Sequence, residues 1–108
     1  MLLGSMRSDK MSDLYYSDSD FDALVKDKDI LVCFHAVWCG PCRMLEGELE
    51  EIKDRVCVTM IDVDVNMELA KRFGIMSVPT LLYFKKDGSF DKKVGFMPKD
   101  VILRWIGR

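Results

Sequence analysis

What this chain has least of narrows its function first. Histidine occurs once, at His35, and proline three times. A single imidazole leaves a metal site few nitrogen ligands to draw on. Four cysteines in 108 residues suit a reducing compartment and a catalytic use of sulfur better than a disulfide framework. Neither sign of charge is in excess. Sixteen Lys and Arg against 18 Asp and Glu leave a net charge of −2, which gives no reason to expect a nucleic acid or an anionic membrane as partner. No apolar run approaches the roughly 20 residues of a membrane span. The opening MLLGSMRSDK offers only the pair Leu2 and Leu3, short of a signal peptide's apolar region. Repeats, linkers and low-complexity segments are also lacking.

What is there suffices for one core. Hydrophobic residues make up 49% of the chain, enough for a single domain of this length. Residues 1–11 read as a disordered or cloning-derived tail, and 12–108 as the domain. Leu14 to Tyr16 is expected to form a short strand. Ser17 to Asp20 supplies helix caps and acids where the dipole favours them, and Phe21, Leu24 and Val25 share one helical face. Ile30 to Phe34 is an apolar run of the length and β-branching of a buried parallel strand. A helix from Pro41 carries Leu45, Leu49 and Ile52 on one stripe, with Gly47 as a weak point where a bend is expected. Val56 to Val63 reads as a strand apolar on both faces and therefore central. Asn66 is placed to cap a helix that Gly74 stops. Thr80 to Phe84 and Lys92 to Gly95 flank the hairpin signal Asp87-Gly88, and Pro98 opens a last helix. Strands alternating with helices, then a hairpin, predict an α/β domain with a mixed sheet covered on both faces.

The stretch ILVCFHAVWCGPC, Ile30 to Cys42, carries the chemistry. Its strand must give way to a helix at Trp38-Cys39-Gly40-Pro41-Cys42, because Pro41 suits a helix's first turn, where an amide hydrogen would lack a partner. Cys39 then sits at the helix mouth, where free amides and the positive dipole end favour a thiolate. Cys42, one turn further on, can reach it sulfur to sulfur. A thiolate attacks a disulfide fastest when the thiol's pKa lies near ambient pH. Cys39 is therefore the expected attacking thiol, forming a mixed disulfide, and Cys42 the thiol that releases the substrate.

Trp-Cys-Gly-Pro-Cys after an apolar strand resembles the active-site motif of the thioredoxin family. The resemblance runs from about Leu14 to Ile106 and includes Asp62-Val63-Asp64, Ser77-Val78-Pro79-Thr80 and Val94-Gly95. It implies the thioredoxin fold, a central mixed sheet of about five strands flanked by about four helices. It further implies a cytoplasmic protein-disulfide reductase working through Cys39 and Cys42, because reductants of this family carry Gly40-Pro41 between their cysteines. No cofactor would be bound. NADPH would be used indirectly through a thioredoxin reductase, the substrates would be disulfide-containing proteins, and the chain would act as a monomer.

Other residues gain candidate roles. Val78-Pro79 resembles the family's cis peptide, which offers Val78's backbone to an extended substrate. Trp38 and Phe96 would form an apolar docking rim, and Gly95 would let a substrate backbone approach. His35 stands where many relatives have a tryptophan; a catalytic base and a structural residue are the two readings, with the second favoured. The family's buried aspartate below the resolving cysteine is here Cys33, and its lysine partner is Met60. Both departures leave disulfide exchange possible and put the usual proton route to Cys42 in doubt. The alternatives are a specialised oxidant or partner-dedicated redox protein, a redox-inert binding module around Trp38, and, weakest, a zinc site using Cys33 and Cys57.

Overall fold

The computed structural model describes residues 14–108. Their elements in chain order are α1 (Asp18–Val25), β1 (Ile30–His35), α2 (Gly40–Glu50), β2 (Cys57–Asp62), α3 (Met67–Arg72), β3 (Thr80–Phe84), β4 (Phe90–Val94) and α4 (Lys99–Trp105). The sheet order is β2-β1-β3-β4, with β1 and β2 parallel and the other two pairings antiparallel.

Alternation along β1 divides the core in two. Leu31 and Cys33 face Leu45, Leu49 and Ile52, which follow one stripe of α2 and its end, together with Ile102 of α4 and Ile106, the residue that caps its C-terminus. Ile30, Val32 and Phe34 face Phe21 of α1 and Leu69 of α3 on the opposite side. Each such side chain moved out of water contributes about 1.5–3 kcal/mol, so both helical layers are held by burial. All six residues of β1 are buried, as befits a strand covered on both faces.

Helix ends follow local chemistry. Ser17 Oγ accepts from the Asp20 amide at 3.1 Å and caps α1. Gly74, at φ +62°, takes the left-handed conformation that ends α3. Asp87 Oδ1 accepts from the Ser89 amide, and Gly88 at φ +93° closes the β3–β4 hairpin.

Several expectations need correction. Among the described residues the sheet has four strands, not about five, because Leu14 to Tyr16 is not a strand. Its backbone is satisfied by a side chain instead. The Tyr16 amide donates to Asn66 Oδ1 at 2.6 Å, and Asn66 Nδ2 donates to the Leu14 carbonyl at 2.9 Å. That diverts Asn66 from its expected task, since it holds the N-cap position of α3 but makes no side-chain capping bond. β2 is an edge strand among the described residues, not a central one. Cys57 is exposed and only Ile61 and Asp62 are buried, because the outer side has no neighbouring strand there. β4 begins at Phe90, two residues before the expected Lys92, and Pro98 is the N-cap of α4 rather than its first residue. α2 runs from Gly40 through Gly47 to Glu50 without a break in helix. The expected boundary between tail and domain lies outside the described residues.

Candidate active site

The turn from β1 into α2 sets the two sulfurs. Cys39 is the N-cap of α2, in extended backbone at φ −97° and ψ 113°, and Pro41 lies in the helix's first turn. Cys39 Sγ accepts from the Cys42 amide at 3.2 Å, so the sulfur occupies the place of a capping oxygen. Cys39 and Cys42 are joined as a disulfide with their Cα atoms 5.3 Å apart. Both are buried, Cys39 at 6% exposure and Cys42 at 2%. The partial positive charge of the helix terminus acts first on Cys39, the sulfur its amides face.

Three loops meet at this end of the sheet. The Val78–Pro79 peptide is cis, and the Val78 carbonyl oxygen lies 3.7 Å from Cys39 Sγ. Pro79 O accepts from the Gly95 amide at 2.8 Å, which ties the loop after β4 to the same corner. Gly95 has φ +97°, a conformation that L side chains rarely adopt. Phe96 follows it and is exposed. Trp38 is 68% exposed, and beside it Val63, Ile75, Met76, Ser77 and Val78 line a cleft of about 160 Å³. Met76, at 93% exposure, adds a soft rim to that apolar ground.

The site also contains a residue that motif reading left without a role. The Trp38 indole Nε1 donates to Asp64 Oδ2 at 2.9 Å, and the Asp64 amide donates to Asp62 Oδ1 at 2.8 Å. Asp62-Val63-Asp64 was visible in the sequence, but its distance along the chain from Trp38 hid the contact. Arg43, likewise unremarked, donates from Nη2 to the Val37 carbonyl at 3.2 Å and pins the turn.

On the α2-facing side of the sheet, Cys33 on β1 pairs in register with Met60 on β2. Burial, with a smaller contribution from the Glu46 carboxylate, pushes the Cys33 thiol up to about 12. It therefore stays protonated and packs as a small hydrophobe. His35 ends the same strand, buried, and its Nε2 has no hydrogen-bond partner. Among the described residues no group of three or more His, Cys, Asp or Glu side chains could hold a metal ion, and no helix is long and apolar enough to cross a membrane.

Comparison with known proteins agrees with this geometry. The thioredoxin family model matches residues 13–108. Thioredoxin from Alicyclobacillus acidocaldarius is 43% identical over 89 residues, covering 78% of this chain and 85% of the relative. Thioredoxin from Bacillus subtilis is 38% identical over 96 residues, covering 85% and 92%. Among solved structures, a point-mutant thioredoxin from Halobacterium salinarum superposes with a TM-score of 0.78 at 35% identity, over 86% of each chain. The bond that Cys39 and Cys42 make and break is the one that thiol–disulfide exchange turns over, and it sits where a helix mouth, a cis peptide and an exposed indole converge. The chain belongs to the thioredoxin family and is a protein thiol–disulfide oxidoreductase.

Proposed function

We propose that Cys39 attacks protein disulfides, that Cys42 resolves the mixed disulfide, and that the chain works as a cytoplasmic reductant. The observation that carries the assignment is the Cys42 amide directed at Cys39 Sγ from the first turn of α2. A thiolate at that sulfur, at the N-cap, gains the amide and the dipole end together, whereas Cys42 sits three residues further on within the helix. Oxidised Cys39–Cys42 is returned to the dithiol by a thioredoxin reductase that draws on NADPH, with no cofactor resident in this chain. The protein acts as a monomer. Trp38, Val78, Pro79, Gly95 and Phe96 receive the substrate. Val78 offers backbone pairing, Gly95 leaves room for a chain, and Trp38 and Phe96 supply apolar contact. Gly40 and Pro41 hold the turn between the sulfurs, and Cys33 and Met60 fill the layer beneath.

Rapid alkylation followed by mass spectrometry tests the roles. Cys39 should be labelled first at neutral pH, and Cys42→Ser should hold a stable mixed disulfide on Cys39. First labelling of Cys42 would reverse the assignment. Steady-state reduction of a model protein disulfide, with and without a thioredoxin reductase, tests the direction. A reductant has a potential near the roughly −270 mV typical of thioredoxin, and a value well above it would mark an oxidant.

A further inference from the structure

The exit step needs Cys42 to lose a proton, and Cys33, held protonated by burial, cannot take it. A second group on the same face can. β1 alternates, so His35 shares the α2-facing side with Leu31 and Cys33, two residues beyond Cys33 toward the active-site turn. His35, Ala36, Val37, Cys42, Arg43 and Glu46 line one cleft of about 200 Å³. The imidazole is buried, at 6% exposure, and its Nε2 has no partner. Leaving a buried ring nitrogen unpaired costs about 1–3 kcal/mol, so such an atom in a cleft shared with a reactive thiol calls for a partner.

We propose that His35 Nε2 is the proton acceptor for Cys42 when the mixed disulfide is resolved. The proposal rests on Cys42 being the resolving thiol. Substrate sulfur is bonded to Cys39 at the start of the step. The Cys42 thiol proton passes to His35 Nε2, directly or across the cleft, which has room for a few waters at about 30 Å³ each. The Cys42 thiolate attacks Cys39 Sγ, the Cys39–Cys42 bond forms, and the Cys39–substrate bond breaks. Two electrons leave with the substrate sulfur as a thiolate, and the imidazolium returns its proton to that thiolate or to solvent. The other charged and titratable groups around the ring are Arg43 and Glu46 from α2 and Asp62, its register partner on β2, with Cys33 on its own strand. Histidine as a class is suited to taking and returning a proton near neutral pH.

A disulfide reagent that releases thionitrobenzoate reads both half-reactions by stopped flow. A Cys57→Ser background removes the exposed third thiol from the signal. The first release reports attack by Cys39 and the second reports resolution by Cys42. His35→Gln should slow the second release about 100-fold, the lower range for loss of a general base, and remove one inflection from its pH profile. The first release should stay within about twofold, since the acceptor acts only after attack. His35→Phe, which keeps ring packing without a base, should behave as His35→Gln does. An unchanged rate and pH profile of the second release in either folded variant would overturn the proposal. Should neither variant fold, selective 15N-histidine labelling of the unaltered chain yields one imidazole, because the sequence contains one histidine. Its titration curve must differ between the dithiol and disulfide states, and superimposable curves would overturn the proposal. Persistence of the second release in Cys42→Ser would instead bring down the role of Cys42, which is a separate failure.

Discussion

Trp38 and Asp64 hold each other across the rim of the active site, indole Nε1 to carboxylate Oδ2 at 2.9 Å. The ring is 68% exposed and would otherwise sample several rotamers over the cleft it borders. One hydrogen bond thus fixes an apolar surface before any substrate arrives. Asp64→Ala removes that restraint and leaves the sulfurs untouched. A contact this exposed contributes about 1 kcal/mol at most, so KM for a protein disulfide should rise about threefold to fivefold. The rate with a small thiol reagent should not change. An equal effect on both would mean that Asp64 acts on Cys39 and not on docking.

The Cys33 thiol makes stability fall in alkali. Its ordinary value of 9.0 is pushed up to about 12 in the folded chain, mainly by burial and secondarily by Glu46. Above pH 9 the unfolded chain therefore loses a proton that the folded chain keeps. The contribution is fully present below pH 9 and is lost as pH rises through 12, with a slope of at most about 1.4 kcal/mol per pH unit. Denaturant titrations of the unaltered chain and of Cys33→Ala should show a stability difference that shrinks between pH 9 and 11. Parallel curves would mean that this thiol ionises equally well in both states.

Gly47 lies inside α2, and a Cβ built there meets nothing within 4 Å. Alanine should fit without moving a neighbour and reduce the freedom of the unfolded chain. Gly47→Ala is expected to add up to about 1 kcal/mol, raising Tm by several degrees in a domain of this size. Calorimetry checks it, and a lower Tm would show that the helix needs its glycine.

Asn66 is a polar tie where apolar packing would be expected. It is buried, accepts from the Tyr16 amide, and donates to the carbonyls of Leu14 and Asp62. Asn66→Ala strands the Tyr16 amide and the Leu14 carbonyl, while the Asp62 carbonyl keeps the backbone amide of residue 66, at a cost of about 2 kcal/mol. The urea midpoint should fall, and protection of the Tyr16 amide against hydrogen exchange should vanish first. A midpoint within error of the unaltered chain would assign the tie no weight.

These residues also mark how far the sequence can be read. Ile30 to Phe34 is legible as a fully buried strand because nothing in it is polar, and Trp38 to Cys42 is legible because its chemistry is local. β2 misleads because an apolar run carries no mark of whether a strand stands beside it. Leu14 to Tyr16 misleads for another reason: its amide and carbonyl find Asn66, 50 residues away along the chain from Tyr16, and side-chain partners at that distance leave no period in a sequence. The 26-residue gap between Trp38 and Asp64 hides their hydrogen bond in the same way. His35 is the sharpest case, since a lone histidine reads as structural until its unpaired nitrogen and the cleft it shares with Cys42 are seen together.

The sulfur that caps α2 is also one half of the Cys39–Cys42 disulfide, so the first turn of this helix is a gauge of the protein's electron content. With a disulfide at Cys39 the Cys42 amide meets a weak, neutral acceptor, and with a thiolate it meets an anion, for which a hydrogen bond is roughly twice as strong. Reduction should therefore slow exchange of that single amide and tighten the turn around it. The state of the couple could then be followed without a dye, a substrate or any change to the chain, from one backbone proton.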